Sequence, residues 1–400
     1  MGGLNRKYIR QNFWSFFLLY IGLAQLLDYY FSINIYGISF FITLLPFSAL
    51  IIIYIFNNKF NRTFYIITYF ALVILSLRAI LYNENFLIAL KYSFPYIFMF
   101  FVIKYLLDKS SCVNISNKLL TNILVFILIL HFINSVLYFT NSNLVIDNPD
   151  KNSDTYVEIV GTRFSGIMGG PNVTANFISL IFAFLVFFRK LSLLKLLIFF
   201  TFASIAILPT LSRGAFVVLS LVTSSGLIQF FYQNKVKPTI IFGSISMLFV
   251  FSWLIFFQIL PYFDDLTASF IGRFIDGDFE GRSARLDFFY EIMDANYLHY
   301  LIGIPWNLQT RSADFSISDN SFTLVASNFG FVYFIFFLLT SPIKEILDAL
   351  LNIRRPKLLV YSFILMFVIF NNNSVLWTSW VFLAFFGFSY LKNVAINNEK

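Results

Sequence analysis

An all-α, polytopic integral membrane protein is the fold class that three observations predict. Apolar runs long enough to cross a bilayer recur along the whole chain, mean hydropathy is +0.78, and only 12% of the 400 residues are charged against 59% hydrophobic. A soluble domain of this size needs far more polar surface. Residues 1–400 are therefore read as one membrane domain, not as a globular body with an anchor. The single cysteine, Cys112, excludes an internal disulfide and a cysteine-based zinc cluster. The formal charge of +8 would suit nucleic acid in a soluble protein. In a membrane protein basic residues flank the spans on the cytoplasmic side, so no nucleic-acid partner is expected.

The elements follow in chain order. The first apolar run begins after "RKYIR", the basic flank of a signal peptide. It is too long for a signal core and has no small-residue cleavage pattern, so it reads as an uncleaved first span. With roughly 20 residues per crossing, spans are predicted at 12–31, 36–56, 63–82, 86–107, 119–140, 170–188, 191–209, 212–232, 238–260, 321–340, 357–371 and 375–391. The "NNNS" at 371–374 is either a tight turn between the last two spans or a polar patch inside one long segment. The count is accordingly eleven or twelve.

Charge gives the orientation. "RKYIR", "NNKFNR", "DKSSCVNISNK", "RK", "QNKVK", "IRRPK" and the C-terminal tail alternate with loops that lack basic enrichment. That alternation predicts about twelve spans with both termini cytoplasmic. Two of the outer loops are long: 141–160, rich in aspartate, and 261–320 between spans 9 and 10, too long for a connection without function. No central cytoplasmic loop divides the chain into halves and no internal repeat is visible, which weighs against the repeat-built transporters.

Several cations run against the positive-inside pattern. Arg78 and Lys91 lie near the outer ends of the third and fourth spans, and Arg163, Arg213, Arg273, Arg282, Arg285 and Arg311 fall outside or at the outer boundary. Burying one at mid-membrane costs about 2.5 to 3.5 kcal/mol on insertion scales, so each needs a counter-charge or a route to the interface. Asp28 and, for Arg163, the upstream Asp147, Asp150, Asp154 and Glu158 are carboxylates within reach in sequence. Taken together, such cations also suit an anionic ligand at the outer leaflet, and phosphate matches arginine's planar donor fork best.

Four blocks carry more information than composition does. "RFSGIMGGPNVTANF" sets Arg163 before a Gly-Gly-Pro-Asn turn and a helix; Pro171 suits a first helical turn, and Asn172 can cap it or bond a sugar or phosphate. "LSRGAFVVLSL" puts Arg213 at the outer mouth of the eighth span. "GRSARLDFFYEIMDANYLHYLIGIPW" sets Arg282 and Arg285 ahead of an amphipathic segment ending at Gly303, and "SDNSFTLVASNFGFVYF" places Asp319 and Asn320 just before the tenth span. In this order, with a long outer loop between spans 9 and 10, residues 163–337 resemble the O-antigen polymerase and O-antigen ligase superfamily of bacterial envelope enzymes. Residues 1–140 match only as a hydropathy profile.

The resemblance implies a GT-C-like membrane glycosyltransferase of the bacterial plasma (inner) membrane that needs no metal or other cofactor. Its donor would be an undecaprenyl-diphosphate-linked glycan, its surroundings membrane lipid, and its partner a chain-length regulator protein. By that likeness Arg163 and Arg213 hold the donor diphosphate, Arg285 heads the loop helix with Arg282 as its competitor, and Asp319 with Asn320 form the polar pair before the next span. Ligases usually have His-Asn at that pair. Asp-Asn here favours a repeat-unit polymerase, with a ligase as the alternative within enzymes and a flippase for lipid-linked oligosaccharide as the alternative of another class.

The residue types suit the chemistry. Fixed guanidinium groups can stabilise the charge that develops on a diphosphate leaving group, and an aspartate in reach of an acceptor hydroxyl can act as general base. Leu286, Phe289, Tyr290, Met293 and Tyr297 recur at helical spacing as one apolar stripe, which either packs on the membrane body or covers a groove for lipid and glycan. Tyr262, Tyr297, Tyr300 and Trp306 are candidates for stacking on sugar. His131, inside the fifth span, reads as a satisfied packing residue. His299 is the one histidine on the outer side that could stand in for the missing ligase histidine. No nucleophile elbow, P-loop or metal-binding histidine cluster is present.

Overall fold

The computed structural model describes residues 62–87, 89–90, 117–147, 164–168, 171–188, 191–234, 280–305, 308, 321–340, 342–351, 356–370 and 379–397, with isolated positions 19, 239, 243 and 246. All regular structure among the described residues is helical. In chain order the helices are α1 (Arg62–Leu81), α2 (Asn117–Phe139), α3 (Pro171–Phe188), α4 (Leu193–Ile207) with a 3-10 turn (Leu208–Thr210), α5 (Arg213–Asn234), α6 (Glu280–Asp294), α7 (Tyr297–Ile302), α8 (Ser321–Thr340), α9 (Pro342–Leu350), α10 (Pro356–Phe370) and α11 (Ser379–Asn397). Four stretches are long and apolar enough to cross a membrane: Lys118–Phe139, Pro171–Phe188, Leu193–Thr210 and Arg213–Tyr232. This is an all-helical membrane protein.

Seven predicted spans, those at 63–82, 119–140, 170–188, 191–209, 212–232, 321–340 and 357–371, match a helix closely at both ends. Those at 12–31, 36–56, 86–107 and 238–260 lie wholly or largely outside the described residues. Of the last predicted span, 375–391, residues 379–391 are helical within α11 (Ser379–Asn397), which runs past the predicted end, and 375–378 lie outside the described residues. Lys392 of α11 pairs with Glu345 of α9, Nζ to Oε2 at 2.6 Å. "NNNS" lies outside the described residues.

The chain divides into two compact units, Leu124–Phe279 and Met1–Ile123 with Glu280–Lys400. In the first, α3 is the central helix. Of its apolar window 83% is buried inside the protein, against 44%, 39% and 44% for the windows of α2, α4 and α5, so those three present a face to lipid. Phe126 and Ile133 of α2, Leu194 and Ile198 of α4 and Val217 and Ile228 of α5 lie on that outer surface.

α3 and α5 run parallel. Ser179 Oγ donates to Ala175 O of its own helix at 2.7 Å and lies 3.4 Å from Ala215 O of α5. Further along both helices, a Cβ on Gly226 would come within 2.8 Å of Val186 Cγ1. Small residues at these crossings let the helices approach closely, which matters in lipid because packing, not the hydrophobic effect, drives association there. The parallel course brings the N-termini of α3 and α5 to one end.

In the second unit, α8 packs on α1, α7, α9 and α10. It is not one continuous helix: Gly330 has φ 80°, ψ 168°, which breaks it into 321–329 and a following segment. α9 is short and two-faced, with Ile346 and Ala349 buried and Lys344, Leu347 and Asp348 exposed. Tyr361 Oη of α10 donates to Ala384 O of α11 at 3.1 Å, joining the last two helices.

The segment 261–320 contains α6 and α7, as the amphipathic reading expects, but the proposed stripe is corrected. Phe289 and Met293 are buried with Ile304 and Ala326, whereas Tyr290 is 54% and Tyr297 88% exposed. The helical phase is interrupted at Asn296, whose Oδ1 accepts the Leu298 N–H at 3.0 Å and starts a new helix. The buried face is thus Phe288, Phe289, Ile292 and Met293, and it packs on the body of its own unit.

Candidate functional site

The end of the first unit that holds the N-termini of α3 and α5 is built by short polar contacts. Two hydrogen bonds join Asn134 to Ile146, side-chain amide N–H to carbonyl and backbone N–H to Oδ1, each 2.9 Å. They fold the start of the 141–160 loop back onto α2. Asp147 is thereby placed so that its Oδ1 accepts the Ser165 N–H at 2.9 Å. The Phe164 N–H donates to Pro209 O at 3.1 Å, and the Phe164 ring packs against Tyr138 with centroids 4.6 Å apart. Thr174 Oγ1, in the first turn of α3, donates to Ser165 O at 2.5 Å.

Gly166 closes this turn with φ +64°, and a Cβ there would lie 2.8 Å from Thr174 Cγ2, so only glycine fits. On the α5 side, Thr210 Oγ1 donates to Ile207 O at 2.6 Å, and Leu211 takes a left-handed φ of 51° that ends the 3-10 turn. Arg213 is then the first residue of α5, and it is half-buried.

Two of the predicted site residues belong here. Asn172 is exposed as the second residue of α3, and Arg213 opens α5. Arg163 lies outside the described residues; it precedes Phe164, whose backbone is anchored to Pro209 four residues before Arg213. The block "RFSGIMGGPN" and the 3-10 turn just before "LSRG", separate in sequence, are therefore tied together by a backbone hydrogen bond. Parallel helix N-termini present backbone N–H groups and the positive ends of two helix dipoles, an arrangement that favours an anion.

Arg282 and Arg285 fall in the first turns of α6, in the other unit. Their three-residue spacing puts them on neighbouring positions of one helix face. Asp319 and Asn320 lie outside the described residues, immediately before α8. Asp147, offered above as a counter-charge for Arg163, has a backbone amide as its partner at Ser165.

The remaining polar residues differ from expectation in instructive ways. His131 is buried, with its ring 5.8 Å from Phe177, but its Nε2 has no hydrogen-bond partner among the described residues. The reading of it as a satisfied group is corrected on that point. His299 is also buried; its Nδ1 lies 2.6 Å from Ile292 O, an acceptor, so Nδ1 carries the proton. Its ring faces Tyr82, centroids 5.6 Å apart. Tyr300 stacks on Phe331 and donates its hydroxyl to Asp294, a bond that holds the tyrosine's pKa above its ordinary value. Tyr262 and Trp306 lie outside the described residues.

Sequence reasoning missed one cluster. Arg78 is 1% exposed; its Nη2 reaches both oxygens of Glu84 at 3.2 and 3.0 Å, and its Nη1 donates to Asn328 O at 2.5 Å. It neither snorkels nor faces lipid. The signal was a glutamate six residues on in "RAILYNEN", where the chain turns at Asn83, φ 52°.

Comparison with protein-family models, with curated proteins and with solved structures finds no match to this chain.

The Asp147 contact is open to a direct test. Asp147→Ala leaves the buried Ser165 amide without this acceptor and is expected to lower stability by about 1 to 3 kcal/mol. Asp147→Asn keeps an acceptor oxygen and should cost less. Thermal unfolding of the detergent-purified protein distinguishes the two, and equal midpoints for Ala and wild type would remove Asp147 from the scaffold.

Proposed function

We propose that the chain is a surface-polysaccharide polymerase of the bacterial plasma membrane, with about twelve spans, both termini cytoplasmic and a GT-C-like arrangement facing outward. It transfers glycan from an undecaprenyl-diphosphate-linked donor to the next lipid-linked repeat unit. The observation that carries this reading is the Phe164–Pro209 backbone bond, which ties the "RFSGIMGGPN" block to the 3-10 turn just before "LSRG", on the segments that lead into α3 and α5.

The chemistry needs an anion site of that kind. The bond between the anomeric carbon and the donor phosphate oxygen breaks, the acceptor hydroxyl oxygen takes its place, and the diphosphate leaves with the charge. Arg163 and Arg213, with the helix N-termini and Asn172, bind and neutralise that group. By the resemblance, Arg285, with Arg282 as its competitor, is a further cation of the outer loop. Asp319 accepts the proton of the acceptor hydroxyl and Asn320 orients it.

Deletion of the gene tests the reading in cells. A strain lacking the polymerase is expected to display single repeat units on its surface lipid, because export and attachment are intact. Loss of all displayed glycan would instead identify a flippase or a ligase.

A further inference from the structure

A buried arginine in a membrane helix has three physical uses: to bind an anion, to line a charged path, or to satisfy polar groups that the fold leaves bare. At Arg78 the first two are disfavoured. Both Glu84 oxygens already meet Nη2, so the pair carries no net charge with which to attract phosphate, and the guanidinium is 1% exposed. The third use fits the surroundings closely.

The break at Gly330 leaves the carbonyls at the end of 321–329 without their usual helical donors. Two of these carbonyls are met from outside the helix. Ser327 O accepts the Ile304 N–H at 2.7 Å, just after α7, and Asn328 O accepts Arg78 Nη1 at 2.5 Å. A cation at a helix C-terminus also opposes the negative end of its dipole. Backbone meets backbone on both sides of the break: a Cβ on Gly330 would lie 2.4 Å from Leu301 O, and one on Gly303 2.6 Å from Ser327 O. The half-helix 321–329 is therefore held at its C-terminal end by α1 and by the turn after α7, while its other end follows directly from Asp319 and Asn320.

We propose that Arg78 is a positioning residue, which clamps the broken end of α8 through the Asn328 carbonyl and thereby fixes the half-helix that Asp319 and Asn320 directly precede in sequence. The proposal rests on the polymerase reading for the role of those two residues. Glu84 keeps the guanidinium charged and aimed; neither residue touches substrate.

The test uses the full chain in nanodiscs, with lipid-linked repeat units extracted from cells that lack it. Arg78→Ala is expected to lower kcat by roughly tenfold to a hundredfold, the cost of a misplaced catalytic group, while KM stays within about twofold. Added guanidinium ion should recover part of the rate. Because removing one partner of a buried pair can unfold the protein, the double variant Arg78→Met with Glu84→Gln is measured alongside it; it removes both charges and should fold with the same kcat defect. Amide exchange should rise at Ile304 and across 321–329 but not in α3 or α5. A folded double variant with wild-type kcat, or a rise in KM alone, would overturn the positioning role. If the wild-type chain forms no polymer, it is the polymerase reading that fails; unchanged exchange at 321–329 in the double variant would then overturn the clamp as well.

Discussion

Replacing Arg213 by alanine is expected to reduce polymer formation by about a hundredfold to a thousandfold, the cost of losing one preorganised group that stabilises developing charge. The position is favourable for that role. Arg213 begins α5 two residues after a left-handed residue, Leu211, so its charge adds to the positive end of that helix's dipole. Arg163→Ala should behave alike, because Phe164 beside it is tied to Pro209. Arg213→Lys retains charge without the planar fork and should recover only part of the activity. The measurement is chain length on gels of surface polysaccharide, with the amount of inserted protein quantified in the same cells. Full-length polymer from the alanine variants at normal protein levels would remove the diphosphate role.

The helices and the polar contacts were unequally legible in the sequence. Helices came through well, since a run of about twenty apolar residues has few alternatives in lipid, and α8 was bounded at 321–340 from hydropathy alone. Its break was not. Hydropathy averages over the run, and a single glycine in "SNFGF" changes that average little while changing the backbone entirely. Arg78 was legible only in part: the counter-charge it needs is present, at Glu84, but its second contact was not foreseeable. Its partner carbonyl at Asn328 lies 250 residues away in the chain, and a backbone acceptor leaves no mark in residue types. Asp147 shows the same limit: the Ser165 amide that one of its oxygens accepts was not visible in residue types. Spacing located the cations and the boundaries, but which carbonyls and amides they serve depended on contacts between distant segments.

Gly330→Ala is expected to abolish the folded protein, and Gly303→Ala to come close. Gly330 has φ 80° and ψ 168°, a region that is essentially glycine-only. Its added Cβ would meet Leu301 O at 2.4 Å and Leu301 C at 2.5 Å. These are backbone atoms, so no side chain can rotate away, and α7 would have to move as a body. That movement would break the Ile304–Ser327 bond, leaving a carbonyl bare where water is scarce. Strain of about 1 to 3 kcal/mol at the residue, with the clash and the lost bond added, exceeds the roughly 4 kcal/mol that marks an exceptional substitution. Gly303, φ 87°, faces the same problem from the opposite segment, with Ser327 O at 2.6 Å and Asn328 C at 2.8 Å. Gly243→Ala is the control: this glycine is exposed, a Cβ there meets nothing within 4 Å, and a helical alanine should be neutral or stabilising. Monodisperse yield on size exclusion and the thermal midpoint in nanodiscs read all three. A well-folded Gly330→Ala protein would mean that α8 can run straight through this point, and the clamp at Arg78 would then have no broken end to hold.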